Sequence, residues 1–246
     1  MEFLNELQTT AFWVVLGQII IVNVVLSGDN AVVIALAARS LPPKQQTQAV
    51  IWGAGAAVVM RIMLTVVAVE LLKWPWLKWI GAVLLLWIAV KLLLPEDDSA
   101  GDIESNENLW AAIKTILIAD LVMSVDNVIA VAAAAKGSLV LLILGLAISI
   151  PLVIFGATML MKIMDRYPII ITIGAGLLGW VAGDMAATDP VVKDWVDGYA
   201  AWLHWAAPAA GAVFVVAAGK WLAARAEAGR REVVDLGEGS ETKAPH

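Results

Sequence analysis

The chain contains no cysteine, which excludes disulfides and thiolate metal sites. Histidine is almost missing as well: His204 and His246 are the two copies. Charge is scarce. Only 15% of residues are Asp, Glu, Lys or Arg, where soluble domains carry about a quarter. The start, MEFLNELQTTAFW, lacks a basic n-region and a small-residue cleavage site. It is therefore expected to begin a first membrane helix and not a cleaved signal peptide.

What is present is apolar. Hydrophobic residues make up 61% of the chain, and mean hydropathy is +0.84. A helix needs roughly 20 apolar residues to cross the hydrocarbon core. In lipid the backbone must satisfy its own polar groups, so long continuous runs indicate helices and not barrel strands. Seven such runs occur, near 11–38, 47–72, 76–94, 110–135, 138–163, 168–187 and 199–222. Turn chemistry separates them: LPPK, KWPW, KG, DRYP and TDP. The expected fold is an all-α membrane protein with seven transmembrane helices. Residues 1–94 form a first three-helix repeat, 95–109 an acidic cytoplasmic linker, and 110–187 an inverted second repeat. The seventh helix occupies 188–224, and 225–246 is expected to be a disordered cytoplasmic tail.

Lys and Arg set the expected orientation. With the N-terminus outside, the inner segments hold Arg39, Lys44, Lys91, Lys114, Lys162, Arg166, Lys220, Arg225, Arg230, Arg231 and Lys243. The outer segments hold Lys73, Lys78, Lys136 and Lys193. The bias favours a multi-pass protein of the inner (plasma) membrane, N-out and C-in. Trp74, Trp76, Trp79, Trp195, Trp202 and Trp205 then fall at the outer boundary as interface anchors.

An internal repeat explains the architecture. VNVVLSGDNAVVIALAA (22–38) aligns with ADLVMSVDNVIAVAAAA (119–135) at an offset of 97. Val25, Ser27, Asp29, Asn30, Ala35, Ala37 and Ala38 meet identical residues. More loosely, Gly81 lies over Gly174 and Trp87 over Trp180. Three spans per copy is an odd number, so the second copy is expected upside down. Secondary transporters are built this way, with the site at the repeat interface.

The repeat carries polar groups into apolar helices. Asn23, Ser27 and Asn30 share one helical face, as do Asp120, Ser124 and Asn127. Asp29 lies about 100° from Asn30 in a regular helix. Gly28 offers a local unwinding that would bring Asp29 and Asn30 to one cavity. Val125 stands where Gly28 does, so the second helix is expected to stay more regular. Asp29, Asp120, Asp126 and Arg61 are all deep. Ionisable groups there mark function by default. One arginine cannot neutralise three carboxylates, so a cation, protons or both are implied. Carboxylate, amide and hydroxyl oxygens suit Mg²⁺, Ca²⁺ or Mn²⁺, and Met123 offers a soft sulfur that would favour Mn²⁺, although Met more commonly fills gaps. No prosthetic group is expected. The candidate metal residues are Asp29, Asn30, Asp126, Asn127, Asp120 and Asn23. Supporting residues are Ser27, Gly28, Ser124, Arg61 as counter-charge, and Asp184 as a gate, proton site or solvated rim position. Asp120 replaces neutral Asn23 in the repeat and is the expected proton carrier.

At these motifs the chain resembles the TerC family, specifically its YjbE-type integral membrane proteins. The residues that carry the resemblance are VNxxLSGDNAVVIALAAR, DLxMSVDNVIAVAAAA and the GDM segment of span six. It covers about residues 10–190. The resemblance implies membership of a wider LysE-like transporter group and manganese efflux, with Asp29, Asn30, Asp126 and Asn127 as the matched site positions. Two other readings stand beside it. Export of an organic solute such as an amino acid would need balanced charges, and Arg61 alone is cationic. An intramembrane aspartyl protease would need a GxGD motif, but Leu26 stands where its first glycine belongs. Helix-to-helix glue is the purely structural reading. No enzymatic activity is expected. The expected partners are the bilayer, a divalent ion and protons, with homodimerisation open and nucleic acid not expected.

Overall fold

The structure, a computed structural model, describes residues 10–71, 74, 76–94, 105–134 and 139–241; side chains at 11, 25–26, 66–71, 105–107, 125–126, 128–134, 139, 227 and 229–241 are outside that description. Among the described residues the chain forms nine α-helices. These are α1 (Thr10–Leu26), α2 (Gly28–Ala38), α3 (Pro43–Leu71), α4 (Leu77–Lys91), α5 (Ser105–Ala134), α6 (Leu139–Arg166), α7 (Ile169–Ala187), α8 (Pro190–Tyr199) and α9 (Leu203–Glu241).

Among the described residues four helices are long and apolar enough to cross a membrane: Pro43–Thr65, Val140–Arg166, Ile169–Ala187 and Leu203–Ala226. The bent pair α1 and α2 makes a fifth if counted as one span. The seven spans expected from hydropathy therefore reduce to four or five by this measure. Helix α4 shows one reason. Its 15 residues extend about 22 Å at 1.5 Å per residue, short of the roughly 30 Å hydrocarbon core. Large apolar side chains nevertheless point outward along the bundle, including Trp52, Val59, Met63, Val83, Phe155, Ile173 and Val213. Soluble monomers rarely expose so much contiguous apolar surface. The chain is a multi-pass integral membrane protein.

Two expected boundaries shift. Helix α5 already begins at Ser105, inside the expected linker. Helix α9 continues to Glu241, through most of the expected tail, because AARAEAGRRE is rich in strong helix formers. The remaining linker residues 95–104 and the last five residues lie outside the described set.

The core is made of small and branched residues. Ala35, Leu36, Leu85, Ile116, Ala119, Ala157, Ala175 and Leu178 are almost fully buried in one cluster. Without a hydrophobic force between helices in lipid, close approach has to come from small side chains. The α7–α9 contact is the clearest case. A Cβ on Gly183 would overlap the carbonyl of Ala207, and one on Gly179 would overlap the carbonyl of Gly211. The GxxxG spacing of Gly179 and Gly183 thus docks the added last helix onto the body. At the other end of α7, Asp189 is fully buried. Its Oδ1 accepts from Val191 N at 2.9 Å, capping α8. Its Oδ2 accepts from Trp79 N at 3.4 Å. This ties the start of α4 to the α7–α8 turn. Trp74, Trp76, Trp79, Trp195, Trp202 and Trp205 are all exposed at that end, as an interface belt requires.

Candidate functional site

The first copy of the motif breaks its helix. Ser27 adopts φ −107° and ψ 5°, outside the helical region, and α2 restarts at Gly28. The axes of the two pieces differ by 47°. Gly28 has open space around it, so its contribution is weak helix propensity and not close packing. The second copy runs through unbroken within α5, in keeping with Val125 in place of Gly28.

The break does not bring Asp29 and Asn30 to one cavity. It lies at Ser27, before both residues, and α2 is regular from Gly28 onward. The separation of about 100° therefore persists. Asn30 stays with the polar stripe and Asp29 turns to another chamber. The candidate residues consequently divide into two groups.

The first group surrounds Arg61, which is 3% exposed. Its Nη2 makes an ion pair with Asp120 Oδ1 at 2.7 Å. Its Nη1 donates to Asn23 Oδ1 at 2.8 Å and to Ser27 Oγ at 2.9 Å. Its Nε donates to Ser124 Oγ at 3.0 Å. Asp120 Oδ1 also accepts from Asn30 Nδ2 at 3.0 Å, and Oδ2 accepts from Ser124 Oγ at 3.1 Å. Asn23 Nδ2 donates to Ser149 Oγ. Arg61 thus holds α1 at Asn23, the break at Ser27 and helix α5 at Ser124 and Asp120. The counter-charge expected for a deep arginine is Asp120. This carboxylate accepts from three donors, Arg61, Asn30 and Ser124. The network borders a cavity of about 20 Å³, room for about one water. Asn30 Oδ1 is buried and accepts no hydrogen bond among the described residues.

The second group lines a larger chamber of about 280 Å³. Asp29, Asn127 and Asp184 supply its oxygen donors, Met123 and Met185 its sulfurs, and Trp180 part of its wall. The chamber joins the helix break to the last turn of α7. Thr188 N donates to the carbonyl of Asp184 one turn away, and Asp184 itself is exposed at the mouth. Among the described residues no Lys or Arg lines it. No set of three or more His, Cys, Asp or Glu side chains is placed to hold a metal among the described residues. The side chain of Asp126 lies outside that description, although its neighbour Asn127 faces the same chamber as Asp29. A two-carboxylate site completed by an amide and thioethers is what the described residues offer.

The motif-based reading missed three contributors. Met185 and Trp180 come from α7, distant in sequence from both DN motifs; the GDM segment was the available signal for Met185 and the repeat alignment that for Trp180. Ser149 completes the Arg61 network from α6. Its hydroxyl also donates to the carbonyls of Gly145 and Leu146, both at 2.9 Å. A serine two residues before Pro151 in a hydrophobic helix was the available signal.

Comparison with known proteins places this geometry in a family. The chain matches the Integral membrane protein TerC family over residues 8–227. It is 45% identical over 168 residues to the uncharacterized membrane protein YjbE of Bacillus subtilis, covering 68% of this chain and 77% of that protein. It is 28% identical over 185 residues to YceF of the same organism, with 72% of each chain covered. The inner membrane protein YoaE of Escherichia coli is 24% identical over 196 residues, which span 70% of this chain and 36% of that longer protein. No solved structure matches the chain. These matches support the TerC family and not the wider LysE-like grouping. With the family matched over nearly the whole length, the chain belongs to the TerC family of integral membrane proteins.

Proposed function

We propose that the chain is a secondary transporter that exports a divalent metal ion, Mn²⁺ above others, and carries out no covalent chemistry. The chamber formed by Asp29, Asn127 and Asp184 is the observation that carries this reading. Two carboxylates, an amide and two thioethers on one chamber suit a positive cargo. A volume of about 280 Å³ accommodates an ion with several of its waters, at roughly 30 Å³ per water. The thioethers of Met123 and Met185 favour Mn²⁺ over the harder Mg²⁺ and Ca²⁺. An amino acid would need a partner for its own carboxylate, and Arg61 is already occupied by Asp120.

The helix contacts support an inverted arrangement of the two halves. Helix α3 packs on α5 while α1 and α2 pack on α6, and α4 packs on α5 while α2 packs on α7. Each of these pairs is the other with the halves exchanged, as a two-fold relation requires. Gly81 on α4 abuts Val122 of α5, and Gly174 on α7 abuts Val32 of α2. With the N-terminus outside, the chamber opens toward the Trp-rich outer boundary, where an exported ion would leave. Returning two empty carboxylates across the membrane is costly. Inward movement of protons on Asp29 and Asp184 removes that cost, so metal–proton exchange is the proposed cycle. Titration of purified protein with Mn²⁺ by calorimetry tests the site. Wild-type protein is expected to bind and Asp29→Asn to bind at least about tenfold more weakly, the loss of one charged ligand being worth 1.4 kcal/mol or more. Equal binding by both would remove Asp29 from the site.

A further inference from the structure

A second cleft, again about 280 Å³, lies at the opposite membrane boundary from the Trp-rich turns. Its position follows from the elements that form it. Arg39 caps the C-terminal end of α2, Leu93 and Leu94 follow the end of α4, and Thr172 lies in the first turns of α7. Lys220 closes it from α9. Lys220 lies 17 residues beyond Leu203, about 26 Å along the helix at 1.5 Å per residue, close to one hydrocarbon thickness.

The chemistry of the cleft is one-sided. Two cations and a hydroxyl line it, and no acidic side chain does among the described residues. Arg39 Nη2 donates to the carbonyl of Leu92 at 3.0 Å, which orients the guanidinium at the rim. The first turn of α7 contains no acidic residue, and its N-cap, Pro168, provides no side-chain hydrogen bond. The positive end of α7 therefore adds to the two cations. The rest of the wall is apolar, built from Leu93, Leu94 and Ile171. Just outside, Ile173 and Trp221 are exposed on the lipid-facing surface, and Arg225 stacks over Trp221 at 5.0 Å.

We infer that this cleft binds the phosphate headgroup of an anionic phospholipid, with its acyl chain along Leu93, Leu94 and Ile171. A phosphate complements the charge of the two cations, and basic pockets between membrane helices are suited to such headgroups. The apolar wall distinguishes a lipid from a soluble anion. This inference stands on a different face and different residues from the metal chamber.

The full-length chain purified in detergent is to be titrated with phosphatidylglycerol, with phosphatidylcholine and with inorganic phosphate. Thermal unfolding and native mass spectrometry provide the readouts. Phosphatidylglycerol is expected to raise the melting temperature and to remain bound in the gas phase, with phosphatidylcholine and inorganic phosphate doing neither. Arg39→Gln combined with Lys220→Gln is expected to weaken the apparent affinity about 10- to 30-fold, from roughly one charge contact per cation. The exposed single variant Lys220→Gln, which disturbs no packing, is expected to show part of that loss. Undiminished phosphatidylglycerol binding in both variants would overturn the site. An equal shift from inorganic phosphate would overturn the lipid assignment.

Discussion

Arg61→Ala removes the centre of the buried network, and its effect can be worked from the geometry. The substitution deletes four hydrogen bonds, to Asn23, Ser27, Ser124 and Asp120, one of them an ion pair at 2.7 Å. It leaves Asp120, 6% exposed, without its counter-ion in a low-dielectric bundle. Breaking one half of a buried ion pair costs about 3–5 kcal/mol. For a chain of this size each 1 kcal/mol moves the melting temperature by roughly 2–4 °C, so the loss is expected on the order of 10 °C. The chain's tryptophans make intrinsic fluorescence a convenient melting assay in detergent. The reasoning also requires a partial rescue. Asp120→Asn in the Arg61→Ala background removes the stranded charge and should recover a substantial part of the loss, because an unpaired charge dominates the penalty. A normal melting temperature for Arg61→Ala, or a double variant no better than the single one, would refute the assignment of Arg61 and Asp120 as a mutually dependent pair.

Gly183→Leu should push α9 off α7, since even a Cβ there overlaps the Ala207 carbonyl; overpacking of this kind costs about 1–3 kcal/mol or more, read as a lower melting temperature and yield. Gly28→Ala has open space and should fold normally, gaining up to about 1 kcal/mol of helix propensity; slower Mn²⁺ flux at an equal or higher melting temperature would mark the break at Ser27 as a moving part. Met185→Leu keeps the buried volume while removing a sulfur from the chamber. It should narrow the preference for Mn²⁺ over Mg²⁺ in competition binding, and an unchanged ratio would assign Met185 to packing alone.

The sequence made much of this legible because the bilayer is a demanding solvent. Apolar runs became helices, and the contrast of SGDN with SVDN foretold one broken and one continuous helix. A buried arginine required a partner, and it has one. The sequence could not identify which carboxylate pairs with Arg61, because that depends on how α3 packs against α5. It also could not divide the polar residues between two cavities. Asn30 and Asp29 are adjacent in sequence, yet their facing directions carry Asn30 to Asp120 and Asp29 to the chamber. Asp184 and Met185 belong to the GDM segment, but their place in the chamber depends on the packing of α7. Of the seven apolar runs, four or five reach the length and hydropathy of a membrane span among the described residues, and α4 falls short at 15 residues.

The central claim is that Asp29 and Asp184 share one divalent-cation transport site, and flux through reconstituted liposomes tests it most directly. Vesicles enclosing a Mn²⁺-quenched dye, with the purified chain in the membrane, would be challenged with external Mn²⁺ under an imposed pH gradient. Wild-type protein is expected to quench the dye. Asp29→Asn and Asp184→Asn should each lower the rate by at least about tenfold, as expected for charged ligands worth 1.4 kcal/mol or more, while retaining the wild-type melting temperature. Wild-type vesicles that match protein-free vesicles, or Asp29→Asn and Asp184→Asn proteins that transport at the wild-type rate, would contradict it.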